Sequence, residues 1–265
     1  ATLFQVNFFG KPAYLSQSAQ FYLEALIFSL EKVWSLTMSF RAERSRTRRH
    51  LYEYWHLEVE EAWATMEDSM RTAEELVSYA VSKVLEERLN ELEYLGRDIN
   101  KLELARKGGY PRITYDEAIE LLKRKGLEIK WGDDLGADEE RLLTEYFETP
   151  FFVTHFPKHL KSFYMKIDPR RPDVVLGFDL LAPEGYGEII GGSQREDDYD
   201  TLLTRILEEG LNPDDYKWYL DLRKYGSVPH SGFGLGVDRL VMWIAGLDHI
   251  RDSLPFPRFR DRIYP

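Results

Sequence analysis

The sequence predicts an α+β domain built on an antiparallel sheet, on three observations. Strand-like runs of aromatic and β-branched residues recur at 151–156, 163–167, 174–181 and 186–190, close enough together to be joined by hairpins. Helical patterns lie outside these runs instead of alternating with them one for one, which argues against a doubly wound sheet. At 265 residues the chain can bury a full core, and no internal repeat or low-complexity tract divides it. The reading is one domain over 1–265, interrupted by a helical insertion at about 86–150.

In chain order, 4–9 and 11–15 flank Gly10 and read as a hairpin, after which Ser16 to Gln20 supply capping residues for a helix running to about 33. The segments 37–42 and 52–61 are aromatic and β-branched on either side of a basic loop, and make an antiparallel pair. From Met66, the apolar residues Met70, Ala73, Val77, Val81 and Val84 recur at helical spacing, so a long amphipathic helix follows. Within the charged insertion the clearest start signal is the capping box Thr114 to Glu117. Helices near 199–209 and 235–245 close the chain, the second after a glycine-rich turn at Gly232, Gly234 and Gly236.

A net charge of −11 argues against unspecific polyanion binding, so any basic cluster must act as a local site. The absence of cysteine excludes disulfides, thiolate metal ligands and cysteine nucleophiles, and suits a reducing cytoplasm. No apolar run approaches the ~20 residues that span a bilayer, and no signal peptide opens the chain. The expectation is a soluble cytoplasmic protein without a membrane partner. Its first residues read as the middle of an element, so an upstream stretch is expected.

The basic cluster lies at 39–54, where Arg41, Arg44, Arg46, Arg48, Arg49 and His50 stand between aromatic segments. Its form, F-R-A-E, a basic loop, then R-H-x-x-E-Y, resembles motif 2 of the class II aminoacyl-tRNA synthetases. Gly232 to Leu240, G-F-G-L-G-V-D-R-L, resembles motif 3 of the same superfamily, in the expected order. The resemblance implies an antiparallel sheet flanked by helices and an ATP-dependent adenylating activity. It places Arg41 on the α-phosphate and reacting carboxylate, Arg239 on the γ-phosphate and adenine, and Tyr54 on the other face of the base. Glu43, Arg49, His50 and Leu51 complete the implied ATP site, while the remaining loop arginines could meet pyrophosphate or a tRNA end.

Adenylyl transfer needs cations on phosphate oxygens and carboxylates for a divalent metal. Mg²⁺ takes few protein carboxylates, and Asp179 and Glu188 are the candidates. In the family, a G-x-E-I-x-x-G-x-Q-R segment supplies the metal glutamate, here Gly187 to Arg195. His155 and His159 are spaced like half a zinc site, but nothing completes it, so they read as loop residues.

Residues 17–24 and 248–257 resemble the subgroup acting on aspartate and asparagine, and the similarity covers nearly the whole chain. Aspartyl enzymes carry a lysine where this chain has Leu23, so the partner for a charged side chain is gone. Glu58 and Arg223 then form the expected specificity pair, with Ser16 and Gln20 binding polar groups of the amino acid. Asparagine offers this pair a donor and an acceptor, and aspartate turned end for end offers an ammonium and a carboxylate.

No anticodon-binding barrel precedes the core and motif 1 is missing, which points to an ammonia-using asparagine synthetase releasing asparagine, AMP and pyrophosphate. The alternatives are an asparaginyl-tRNA synthetase core or paralogue, for which tRNA is a partner, and a non-catalytic regulatory paralogue. A homodimer is expected in the enzymatic cases.

Overall fold

The structure, a computed structural model, describes residues 2–43, 47–259 and 261–264. The hairpin β1 (Gln5–Phe8) and β2 (Lys11–Tyr14) turns through Phe9 and Gly10, both at positive φ, with the Asn7 side chain accepting from the Gly10 N–H at 2.7 Å. Helix α1 (Gln20–Leu30) stops where Glu31 takes φ 61°, and β3 (Lys32–Phe40) begins at once. The helix therefore ends short of residue 33, because Val33 is needed opposite Glu60 in the pairing of β3 with β4 (Glu53–Ala62). The expected capping by Ser16 to Gln20 is also different. Ala19 is the cap and makes no side-chain bond there, while Ser18 Oγ accepts from the Gln20 N–H at 3.1 Å.

Helix α2 (Met66–Glu87) starts at a capping box between Thr65 and Asp68 and buries Met70, Ala73, Val77 and Val81 completely. Each fully buried Met or Val of that stripe contributes about 1.5–3 kcal/mol of apolar transfer free energy. The next segment holds α3 (Leu89–Tyr94), α4 (Ile99–Ala105), α5 (Tyr115–Arg124), begun by the Thr114–Glu117 box, and α6 (Ala137–Thr144). It also supplies β5 (Arg112–Thr114), which pairs in parallel with β6 (Phe151–Thr154) at the edge of the sheet.

Beyond β6 the strand at 163–167 reduces to β7 (Ile167–Asp168), because Phe163 and Tyr164 turn inward onto the aromatic cluster around Tyr219. The run at 174–181 divides between β8 (Arg171–Val175) and β9 (Gly177–Ala182). Next come β10 (Gly187–Gln194), α7 (Tyr199–Glu208) and α8 (Lys217–Lys224). The glycine-rich segment is a strand, β11 (His230–Gly236), not a turn, and α9 (Val237–Ala245) follows directly.

The main sheet has the order β3-β4-β11-β10-β9-β6-β5, antiparallel except for its last pair. Period-two alternation divides its residues between two faces. Phe152, Phe178, Leu180, Phe233 and Leu235 meet α2 and Trp243 of α9 on one side. The opposite side carries the polar row His56, Glu58 and Glu60 of β4, paired in register with Gly236, Gly234 and Gly232 of β11. Gly191 and Asp179 continue that face on β10 and β9. No helix among the described residues is long and apolar enough to cross a membrane.

Candidate functional site

The glycines of β11 are what keep the polar face open. A Cβ on Gly234 would lie 2.3 Å from His56 Nε2, and one on Gly232 would lie 2.2 Å from the Val59 carbonyl oxygen and 2.4 Å from Glu60. No real Cβ tolerates such approaches, so β11 can run beside β4 only without side chains at these positions. The result is an open cleft of about 670 Å³, counted with the solvent at its mouth.

Around it stand Arg41, Glu43, Arg49, His50, Leu51, Tyr54, Glu188 and Arg239, with His56 on its floor. They come from the ends of β3 and β4, the loop between them, the start of β10 and the first turn of α9. The loop arginines Arg44 and Arg46 lie outside the described residues.

Arg239 is fixed by backbone and side chain together. Its Nη1 donates to the Glu188 carbonyl oxygen at 2.9 Å and to Glu188 Oε2 at 3.0 Å, and its Nε donates to the Arg49 carbonyl oxygen at 3.2 Å. The neighbouring Asp238 is not its partner, since Asp238 Oδ2 accepts from the Trp55 N–H at 2.8 Å. Arg41 is held differently. Its guanidinium lies 5.4 Å from the centre of the Tyr54 ring, and its buried Nε has no hydrogen-bond partner among the described residues. A buried donor left over in this way suits an anion brought by a ligand.

Burial alone would raise the Glu188 carboxyl, but Arg239, Lys161 and Arg49 outweigh it and hold the group at about 2. Asp179 goes the other way: burial, with Glu188 nearby, pushes it up to about 6 against the pull of Lys161. Lys161 Nζ donates to Asp179 Oδ2 at 2.6 Å and sits 3.8 Å from the centre of the Phe156 ring. The two carboxylates flank Gly191, where a Cβ would lie 2.9 Å from Glu188 Oε1 and 3.5 Å from Asp179 Oδ1. Glu188, which lines the cleft, fits Mg²⁺, which completes its shell with water and phosphate oxygens, while Asp179 lies outside the lining and gives Oδ2 to Lys161. Among the described residues no group of three or more His, Cys, Asp or Glu is gathered to hold a metal by protein alone. His155 bonds Thr154 and His159 bonds the Gly132 carbonyl oxygen. His50 is lowered to about 4 by burial and by Arg239 and Arg49, so it is neutral at pH 7.

The residues expected to bind the amino acid are spread more widely. Glu58, buried beside His56 at 3.5 Å, accepts from the Ala19 N–H at 2.7 Å and from the Ser18 hydroxyl. Ser16 Oγ donates to the Ser18 carbonyl oxygen. Leu23 packs with Ile27, Val33 and Ala62 in a small apolar cluster. Arg223 is largely committed elsewhere, with only its Nη1 left without a partner among the described residues. Its Nη2 pairs with Glu24 at 2.6 Å and its Nε donates to the Glu196 carbonyl oxygen.

Sequence reasoning missed several charged groups here. Arg195, at the end of β10, forms a buried ion pair with Glu60 and donates to Ser193 Oγ at 2.7 Å. Glu140 of α6 takes both Nη atoms of Arg49 and the Glu188 N–H. The alternation of polar residues along His56, Glu58 and Glu60 could have revealed Glu60, because a strand with three polar residues on one buried face needs partners. Nothing in the local sequence marks Glu140.

The family described as tRNA synthetases class II (D, K and N) matches residues 1–260. The asparagine–tRNA ligase of Pyrococcus horikoshii is 65% identical over 265 residues, all of this chain and 61% of its own length. That of Thermococcus gammatolerans is 64% identical with the same coverage. The crystal structure of asparaginyl-tRNA synthetase from Pyrococcus horikoshii complexed with asparaginyl-adenylate superposes with a TM-score of 0.98, covering 100% of this chain and 61% of that one. The Entamoeba histolytica enzyme in complex with asparaginyl-adenylate gives 0.90 at 41% identity, covering 99% and 60%. These relatives overturn the expectation of an ammonia-using asparagine synthetase. That expectation rested on the lack of a preceding barrel, and a chain spanning 61% of its relatives carries no such information in its first residue.

Proposed function

The chain belongs to the class II tRNA synthetases (D, K and N), and we propose that it is the adenylating core of an asparagine–tRNA ligase. The observation that carries this reading is the meeting of Arg41, Arg49, His50, Glu188 and Arg239 in one cleft that continues into the polar face of β4. Cations for a triphosphate and acceptors for an amino acid then lie side by side, as formation of an aminoacyl-adenylate requires.

ATP enters with adenine between Tyr54 and Arg239 and its α-phosphate at Arg41, whose Nε is free to donate. The asparagine α-carboxylate attacks the α-phosphorus, the bond to the bridging oxygen breaks, and pyrophosphate leaves. Mg²⁺, held by Glu188 with Asp179 beside it, would neutralise charge on the triphosphate. Arg41 offsets charge developing at the α-phosphate, while Glu188 keeps Arg239 aimed at the base. A terminal ribose hydroxyl of tRNA then attacks the acyl carbon and releases AMP.

The enzyme is expected to act as a homodimer, with β3 at the interface. Trp34, Leu36 and Trp55 are 69, 47 and 46% exposed at this edge of the main sheet, too much apolar surface for a strand edge meant for water.

The test is pyrophosphate exchange into ATP. Exchange should depend on asparagine and not on aspartate, and the full-length protein should charge tRNA with asparagine. Exchange driven by aspartate, or none with either amino acid, would refute the reading.

A further inference from the structure

Glu24 of α1 is a wholly buried carboxylate on which side chains of α8 and β11 converge. Tyr219 Oη of α8 donates to it at 2.8 Å and Arg223 Nη2 of α8 at 2.6 Å, while His230 Nε2 of β11 lies 2.9 Å away. The other ring nitrogen of His230 faces the Val228 carbonyl oxygen at 2.8 Å. Both ring nitrogens therefore lie against oxygen acceptors, with Arg223 Nη2 also 3.5 Å from Nε2. Burial would raise the Glu24 carboxyl, but Arg223 and His230 outweigh it and keep it well below the usual carboxylate range. Glu24 is thus an acceptor only.

Its remaining contact is with Gln20, one helical turn earlier, whose Nε2 donates to Glu24 Oε1 at 3.0 Å. An acceptor-only carboxylate can bind only the NH₂ end of that amide, which leaves Gln20 Oε1 directed away from it. Gln20 is half-buried, and its backbone N–H is tied to Ser18, whose hydroxyl bonds Glu58 beside His56 on the cleft floor.

We infer that Glu24 is a positioning residue: it locks the Gln20 amide so that the carbonyl oxygen accepts from the α-ammonium of the amino-acid substrate. This rests on reading the cleft as an asparagine-activating site. The ammonium carries donors only, so a flipped amide would set NH₂ against it and lose a charge-assisted bond.

The experiment measures asparagine KM, ATP KM and kcat by pyrophosphate exchange. Glu24→Gln, able to donate as well as accept, frees the amide to flip. Asparagine KM should rise about tenfold with ATP KM unchanged. In a Gln20→Leu background, itself weak for asparagine, the second change should add nothing. A rise that persists there would mean Glu24 acts through packing and would overturn the inference.

Gln20→Glu keeps an acceptor towards the substrate but opposes Glu24 with a second carboxylate, with Glu58 also nearby and Arg223, His230 and Arg195 acting on Glu24. Its asparagine KM should exceed that of the native chain at pH 8 and fall towards it at pH 6, as the new carboxyl gains a proton to donate. A native-like KM at both values would overturn the inference even if Glu24→Gln does not fold. Absence of asparagine-dependent exchange in the native protein would instead remove the functional reading beneath it.

Discussion

Arg49 and Glu140, 91 residues apart, form a two-bond ion pair that ties the loop between β3 and β4 to α6. The same carboxylate accepts the Glu188 N–H at 2.8 Å, so one side chain sets both a cation and an anion of the cleft. Gly187, at φ 74°, leaves the space, since a Cβ there would lie 2.2 Å from Arg49 Nη1.

Glu140→Ala should therefore damage ATP binding from outside the cleft. Breaking a fully buried pair costs about 3–5 kcal/mol; with both side chains partly solvated, about 2 kcal/mol is expected here. ATP KM should rise about tenfold while asparagine KM changes little. Pyrophosphate exchange and a thermal melt check the two effects, and unchanged ATP KM would mean Arg49 is placed by other contacts.

Arg41→Ala and Arg239→Ala should each slow adenylate formation by about 100-fold, the usual effect of one lost donor to a developing charge. The two should differ in stability. Arg41 leaves a buried Nε without a partner among the described residues, so its removal abandons no acceptor. Removing Arg239 strands Glu188 and the Arg49 carbonyl oxygen, so that variant alone should melt measurably lower.

How much of this was legible in the sequence depends on the range of each interaction. The basic loop and the Gly232 to Arg239 run carry their chemistry in consecutive residues, and the structure brings both to one cleft. The capping boxes at Thr65 and Thr114 are likewise local, and only the second was read. Glycines 232, 234 and 236 misled because glycine normally marks a turn, whereas here alternate glycines make one face of a strand bare for His56 and Glu60. The ion pairs Glu24 with Arg223 and Glu60 with Arg195 span 199 and 135 residues, and no local pattern encodes such a partner. Arg223 was read with Glu58 as donor and acceptor for the substrate; its Nη2 and Nε are held by Glu24 and the Glu196 carbonyl oxygen, and its Nη1 has no partner among the described residues.

Gly232→Ala and Gly234→Ala separate fixed from movable neighbours. At Gly232 the added methyl meets the Val59 carbonyl oxygen, which belongs to the sheet ladder and cannot retreat. At Gly234 it meets the His56 ring, which can give way only by abandoning Ser39 Oγ at 3.0 Å. Gly232→Ala should cost about 3 kcal/mol or prevent folding, and Gly234→Ala about 1–2 kcal/mol with a larger loss of activity than of stability. Denaturant unfolding beside exchange kinetics gives both numbers; the reverse ranking would contradict the packing described.

His50 supplies a test in pH. Its folded value of about 4 lies below the ordinary 6.5, because burial and the guanidinium groups of Arg239 and Arg49 oppose a second charge. Between those values the unfolded chain binds the proton and the folded one does not. Stability associated with neutral His50 is therefore complete above pH 6.5 and is lost as pH falls through 4. The ring is half-buried and still reached by solvent, so screening reduces the effect to about 1 kcal/mol. His50→Gln does not titrate and should lose that much less stability between pH 7 and pH 4, measured by denaturant unfolding at each value. A direct NMR titration placing the His50 ring near 6.5 would mean that the three groups do not sit together in solution as they do here.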